Sequence, residues 1–119
     1  MKLLGNLYSI QSQNIGENKA DFRVSLDAEN FIYKAHFPNN PITPGVCLIQ
    51  MVVELFGALR GADFSIKTLR NVKFTAPISP LEFPQVDVSL EFSGKQIKVI
   101  IKEKETVFVK MSLNVDVRL

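Results

Sequence analysis

The chain has one histidine, His36, followed by prolines at 38, 41 and 44, then by Gly45-Val46 and an apolar run. Histidine can take or give a proton near neutral pH. Proline fixes φ, so Pro38, Pro41 and Pro44 stiffen the path from His36 to whatever begins at Gly45. If a helix begins there, the N–H groups of Gly45 and Val46 lack intrahelical acceptors and can hold an anion or a developing oxyanion. Gln50 and Glu54, four residues apart, share one face of that helix, and a carboxylate on an apolar helix needs partners. These residue types suit proton transfer beside a stabilised negative charge. Each also has a plainer use: a histidine at a strand end packs or faces solvent, and a polar stripe bonds backbone groups or water.

Only one stretch reads as a long helix, Val46 to about Arg60. Thr43 can serve as its N-cap, Pro44 suits its first position, and Gly61 can close it. Between Val46 and Leu59 every residue is apolar except Gln50, Glu54 and Gly57. A helix apolar nearly all round is buried. Elsewhere the period is two. Val86, Val88, Leu90 and Phe92 alternate with polar residues, Ser93-Gly94-Lys95 turns the chain, and Ile97, Val99 and Ile101 follow. From Val107 to Leu119 the odd positions are apolar, which sets Phe108 on the opposite face with Lys110 and Ser112. Residues 85–119 therefore read as an antiparallel meander. Shorter strands are expected around Leu7–Gln13, Phe22–Leu26 and Ile66–Thr75. Five or six antiparallel strands and one buried helix imply an α+β fold with a sheet wrapped around that helix, in a single domain over 1–119.

Composition narrows the function. Lys and Arg total 14 against 12 Asp and Glu, a net charge of +2, and the basic residues are scattered, which argues against nucleic acid. A single cysteine excludes an internal disulfide, and with one histidine no zinc site is expected. Cys47 lies in the apolar run and reads as core packing. No stretch suits a membrane span or a signal peptide, so a cytoplasmic protein is expected.

The stretch His36-Phe37-Pro38-Asn39-Asn40-Pro41-Ile42-Thr43-Pro44-Gly45-Val46 resembles the H-F-P-G-x-P-x-x-P-G-V signature of FabZ-type β-hydroxyacyl-acyl carrier protein dehydratases. Asn71 to Pro77 is similar, more weakly, to that family's K-x-x-F-x-x-P strand. The resemblance implies the hotdog fold and dehydration of a (3R)-3-hydroxyacyl thioester to a trans-2-enoyl thioester without a cofactor or metal. It implies that His36 takes the C2 proton, that the Gly45 and Val46 N–H groups polarise the thioester carbonyl, and that Pro38, Pro41 and Pro44 hold the loop. It further implies acyl carrier protein as partner and a homodimer, in some relatives a trimer of dimers, with sites between protomers. Four positions depart from the pattern. Ala35 and Asn39 replace glycines, and Gln50 stands where the family has its catalytic acid. Glu54 stands where the family has Gln, as though the pair were exchanged. Glu54, or a water held by Gln50, is then expected to do the acid's work. A hotdog thioesterase and a non-catalytic acyl-binding subunit are the competing expectations.

Overall fold

The computed structural model describes residues 2–35 and 39–118. Its elements run β1 (Tyr8–Ile15), β2 (Lys19–Leu26), α1 (Phe31–Ala35), α2 (Gly45–Arg60), β3 (Phe64–Phe74), β4 (Gln85–Ser93), β5 (Gln96–Glu103) and β6 (Thr106–Val117). The strands form one sheet in the order β1-β2-β4-β5-β6-β3, every neighbour antiparallel. No helix among the described residues is long and apolar enough to cross a membrane.

Alternation places the core. Phe22, Val24 and Leu26 on β2, Val86, Val88 and Leu90 on β4, and Ile97, Val99 and Ile101 on β5 are all buried on one face of the sheet. Cys47, Leu48, Met51, Val52, Val53, Leu55 and Phe56 of α2 are buried in the same core. Burial of such side chains stabilises by about 1.5–3 kcal/mol each, which holds a helix whose Val52 and Val53 have modest helix propensity. This is the hotdog arrangement, a curved sheet around one long helix. Burial also pushes the Cys47 thiol up, so it stays protonated and packs as a small apolar group.

Three local expectations are corrected. Thr43 is not the N-cap of α2: Pro44 holds that position with extended backbone (φ −60°, ψ 142°), and no side chain caps the helix. Helical backbone therefore starts at Gly45, one residue earlier than the expected Val46. Phe108 does not join the polar face. The β5–β6 register slips between Ile101 and Lys102, so Val109 pairs with Ile101 while Val107 pairs with Lys102. The extra residue is a β-bulge, and it turns Phe108 into the core, where its ring meets Phe83 edge-on at 4.8 Å. The Phe108 carbonyl freed there accepts the Thr75 N–H at 2.8 Å. The short helix α1, which carries too few residues to show a period, was not expected at all.

Gly61 closes α2 in the left-handed region (φ 68°), as expected. Inside the last turn, a Cβ on Gly57 would sit 2.7 Å from the Ala62 carbonyl oxygen, and that contact is with backbone. Gly57→Ala should therefore lower the urea midpoint. Overpacking of about 1–3 kcal/mol outweighs the roughly 1 kcal/mol that alanine gains over glycine in a helix. A raised midpoint would show that the turn gives way freely.

Candidate active site at the start of the central helix

The proline-bounded loop delivers α2 to the core with its first turn open. The first helical bonds run from the Cys47 and Leu48 N–H groups to the Pro44 carbonyl, at 3.0 and 3.2 Å. Among the described residues nothing accepts from the Gly45 or Val46 N–H. Val46 is 74% exposed, so this end of the helix faces outward. Phe74, at the end of β3, lies against it: a Cβ on Gly45 would stand 2.9 Å from the ring. Glycine at position 45 lets the ring approach the helix start that closely. Of the expected loop residues, Pro41 and Pro44 are half-buried beside this start, and Pro38 and His36 lie outside the described residues.

One turn further along, the structure brings Gln50 and Glu54 together. Gln50 Nε2 donates to Glu54 Oε2 at 3.0 Å. Glu54 also accepts from the Leu3 N–H (2.8 Å, Oε2), the Leu4 N–H (2.8 Å, Oε1) and the Tyr8 hydroxyl (3.0 Å, Oε1). Burial, then the charge of Glu54 and the hydrogen bond to it, push the Tyr8 phenol well above its ordinary value, so it stays a donor. Glu54 thus ties the N-terminal segment and β1 to the central helix while holding the Gln50 amide. A cleft of about 520 Å³ opens beside the pair, lined also by Leu4, Val53, Gly57 and Phe64.

Sequence reasoning did not find Tyr8 or the Leu3 and Leu4 amides. A carboxylate on an apolar helix signals that donors must exist, but its backbone partners lie 51 and 50 residues away and carry no residue type to read. Nor did it find the buried bond between the Tyr33 and Thr43 hydroxyls, 2.9 Å long, that flanks the loop.

A helix N-terminus opened by a proline-glycine step belongs to no one chemistry, and the comparisons with known proteins show the family. The model of a family described as ApeI-like, ApeI dehydratase, matches residues 11–112. The chain belongs to this dehydratase family. It is 29% identical over 75 residues to the 3-hydroxyacyl-(acyl-carrier-protein) dehydratase FabZ of Bartonella bacilliformis, a match that covers 56% of this chain and 47% of the relative. The chain thus matches about half the length of that curated relative. In structure it resembles a chain of the dehydratase heterocomplex ApeI:P from Xenorhabdus doucetiae, with a TM-score of 0.75 and 17% identity over 89% of this chain and 95% of that one. An uncharacterized protein from Erwinia carotovora subsp. atroseptica is also similar, with a TM-score of 0.61 and 20% identity over 94% and 96% of the two chains. At those identities the two structures bear on the fold alone, which this chain shares with them.

Proposed function

We propose that this chain dehydrates 3-hydroxyacyl thioesters carried on acyl carrier protein, giving trans-2-enoyl thioesters. The observation that carries this is the open first turn of α2, where the Gly45 and Val46 N–H groups have no acceptor among the described residues. A thioester oxygen seated there becomes an enolate oxygen as the C2 proton leaves, and N–H groups held in place stabilise it without reorganising. His36 takes the C2 proton. The enolate then collapses, its electron pair forming the C2=C3 bond as the C3–O bond breaks. The leaving hydroxide then takes the proton from the His36 imidazolium through a water held at Gln50, and the site returns to its starting state. Glu54 acts in this scheme by holding the Gln50 amide, since its two oxygens already accept four hydrogen bonds.

A dimer suits the exposed surfaces. β3 is an edge strand with a long unpaired side, and Ile66, Leu69 and Phe74 on it are exposed, as is Val46. An apolar edge of that length pairs with another chain unless something blocks it. We place a second copy against β3, which also covers the open end of α2. For the carrier protein, the basic residues fall into two groups. Arg60 is already engaged, stacked 5.3 Å from the Phe56 and Phe92 rings and bonded to the Gly94 carbonyl. Lys67, Arg70 and Lys73 lie exposed on β3, and Lys73 pairs across the ladder with Lys110. Like charges directly opposite repel unless an acidic surface meets them.

A second proposal has a specific observation behind it. Gln50 cannot protonate a leaving group, and Glu54 is held by the N-terminal segment, so a different hotdog chain could supply the acid in a mixed dimer. Incubation with a (3R)-3-hydroxyacyl carrier protein separates the cases. Enoyl thioester from the pure chain is the expected product. Enoyl thioester only after a partner hotdog chain is added supports the mixed dimer, and free acid overturns both in favour of a thioesterase. In parallel, the pure chain should sediment as a dimer, and Leu69→Asp should give inactive monomers. Carrier binding should weaken as salt rises.

A further inference from the structure

We propose that Leu4, held against α2 by the Glu54 carboxylate, is a specificity-determining residue for the acyl chain, and that the cleft it walls takes a chain ending in a hydrogen-bonding group. This rests on the dehydratase reading above and deepens it. Gln50, Glu54, Gly57 and Gly61 are three or four residues apart in turn, so they form one stripe along α2. The cleft of about 520 Å³ follows that stripe from Gln50 to Gly61. That is a rise of about 16 Å along the helix. Val46 lies one turn before Gln50 on the same side. A thioester oxygen at the Gly45 and Val46 N–H groups therefore sets C3 towards Gln50 and the rest of the chain into the cleft.

The wall of the cleft comes from outside the helix. The residues from Leu3 to Tyr8 form a tight turn. The Asn6 and Leu7 N–H groups donate to the Leu3 carbonyl at 2.9 and 2.8 Å, and the Gly5 N–H donates to the Tyr8 carbonyl at 2.8 Å. Gly5 permits this turn with φ 85°, in the left-handed region. Leu3 and Leu7 point into the core. Leu4 is left half-buried on the cleft. The Leu3 and Leu4 N–H groups each donate to one oxygen of Glu54 at 2.8 Å, and the Tyr8 hydroxyl donates at 3.0 Å. Moving Leu4 away from α2 would leave a half-buried carboxylate short of donors, which is costly. A wall pinned in this way can discriminate by size, where a mobile one would yield. Asp63 and Arg118 line the far end, brought together by the bond from the Arg118 N–H to the Asp63 carbonyl, at 2.8 Å. Neither side chain has an ion-pair partner among the described residues. A methyl group seated between them would strip water from both charges and return nothing. A hydroxyl can donate to one and accept from the other.

Leu4→Phe, Leu4→Ala and Arg118→Ala test this on carrier-bound (3R)-3-hydroxyacyl substrates of rising chain length, each made with a methyl or an ω-hydroxyl end. Ratios of kcat/KM between substrates within one variant cancel any loss of folded protein. Leu4→Phe should lose about 10-fold or more on the longer chains relative to the shortest, the scale of a size step in an apolar pocket. Leu4→Ala should extend the range to bulkier chains. The shortest substrate, which ends before Leu4, should be handled alike by all variants. The unaltered chain should prefer the ω-hydroxyl end, and Arg118→Ala should remove that preference and keep the length profile. A length profile unchanged in both Leu4 variants overturns the assignment of Leu4. Equal handling of the two ends by the unaltered chain overturns that of the polar end. Binding gives a readout without turnover. Octanoate and ω-hydroxyoctanoate should both shift the Leu4 methyl resonances of isotope-labelled protein, the hydroxylated acid at lower concentration. Absence of turnover in the unaltered chain would sink the dehydratase reading instead. The titrations would still decide the cleft, and resonances that neither acid moves would overturn it as an acyl subsite.

Discussion

His36→Ala should abolish measurable enoyl formation while leaving the melting temperature close to that of the unaltered chain. A positioned general base contributes about 10²–10⁴-fold, and here the same imidazole also returns the proton, so the upper end is expected. The pH dependence carries the sharper test. Only neutral imidazole can take the C2 proton, so kcat/KM should rise with pH through the histidine range, about 6.5 when unperturbed, and then level off. With one histidine in the chain, that ascending limb has one owner. If His36→Ala keeps activity within a few-fold, or keeps the limb, His36 is structural and the dehydratase mechanism loses its base.

The sheet was readable because one of its faces is buried, so each strand shows a period of two. Val86 to Phe92 and Ile97 to Ile101 are plain cases. α2 was readable for the opposite reason: apolar on nearly every side, it had to lie inside the sheet. The failures are places where one residue breaks the period or where contact is remote in sequence. The bulge turns Phe108 inward for reasons that lie in the pairing of β5 with β6, not in the local pattern. Thr43 looks like a cap by residue type, but its hydroxyl is drawn to the Ile78 carbonyl, 35 residues on. The loop motif from Pro41 to Val46 announced the open helix start, since each residue type there restricts the backbone. The surroundings of Glu54 were hidden, since two of its partners are main-chain N–H groups near the N-terminus, which any sequence would supply.

The exchanged pair at 50 and 54 should respond asymmetrically to substitution. Glu54→Gln places an amide nitrogen among groups that all donate, the Leu3 and Leu4 N–H, the Tyr8 hydroxyl and the Gln50 amide. At least one donor then faces another, at a cost of about 1–3 kcal/mol, or a melting temperature lower by roughly 5 °C or more. Turnover per folded molecule should fall less than in His36→Ala, through looser placement of Gln50. A loss of about 10²-fold or more with an unchanged melting temperature would instead make Glu54 the acid that protonates the leaving hydroxyl. Gln50→Ala should lie between, lowering turnover by removal of the water's holder. Gln50→Glu is the informative gain. It would set a second carboxyl at the site of an amide now 3.0 Å from Glu54 Oε2. Two carboxyls that close cannot both ionise freely, so one keeps its proton to higher pH, as a general acid working near neutrality must. Gln50→Glu should therefore preserve or raise kcat and add a descending limb to the pH profile, where the shared proton is lost. The folded state raises that carboxyl's pKa, so its stability should fall as pH rises through the folded value. A Gln50→Glu enzyme that is slower, with no descending limb, would mean that position 50 does not face the leaving hydroxyl, and the proton relay through Gln50 would have to be abandoned.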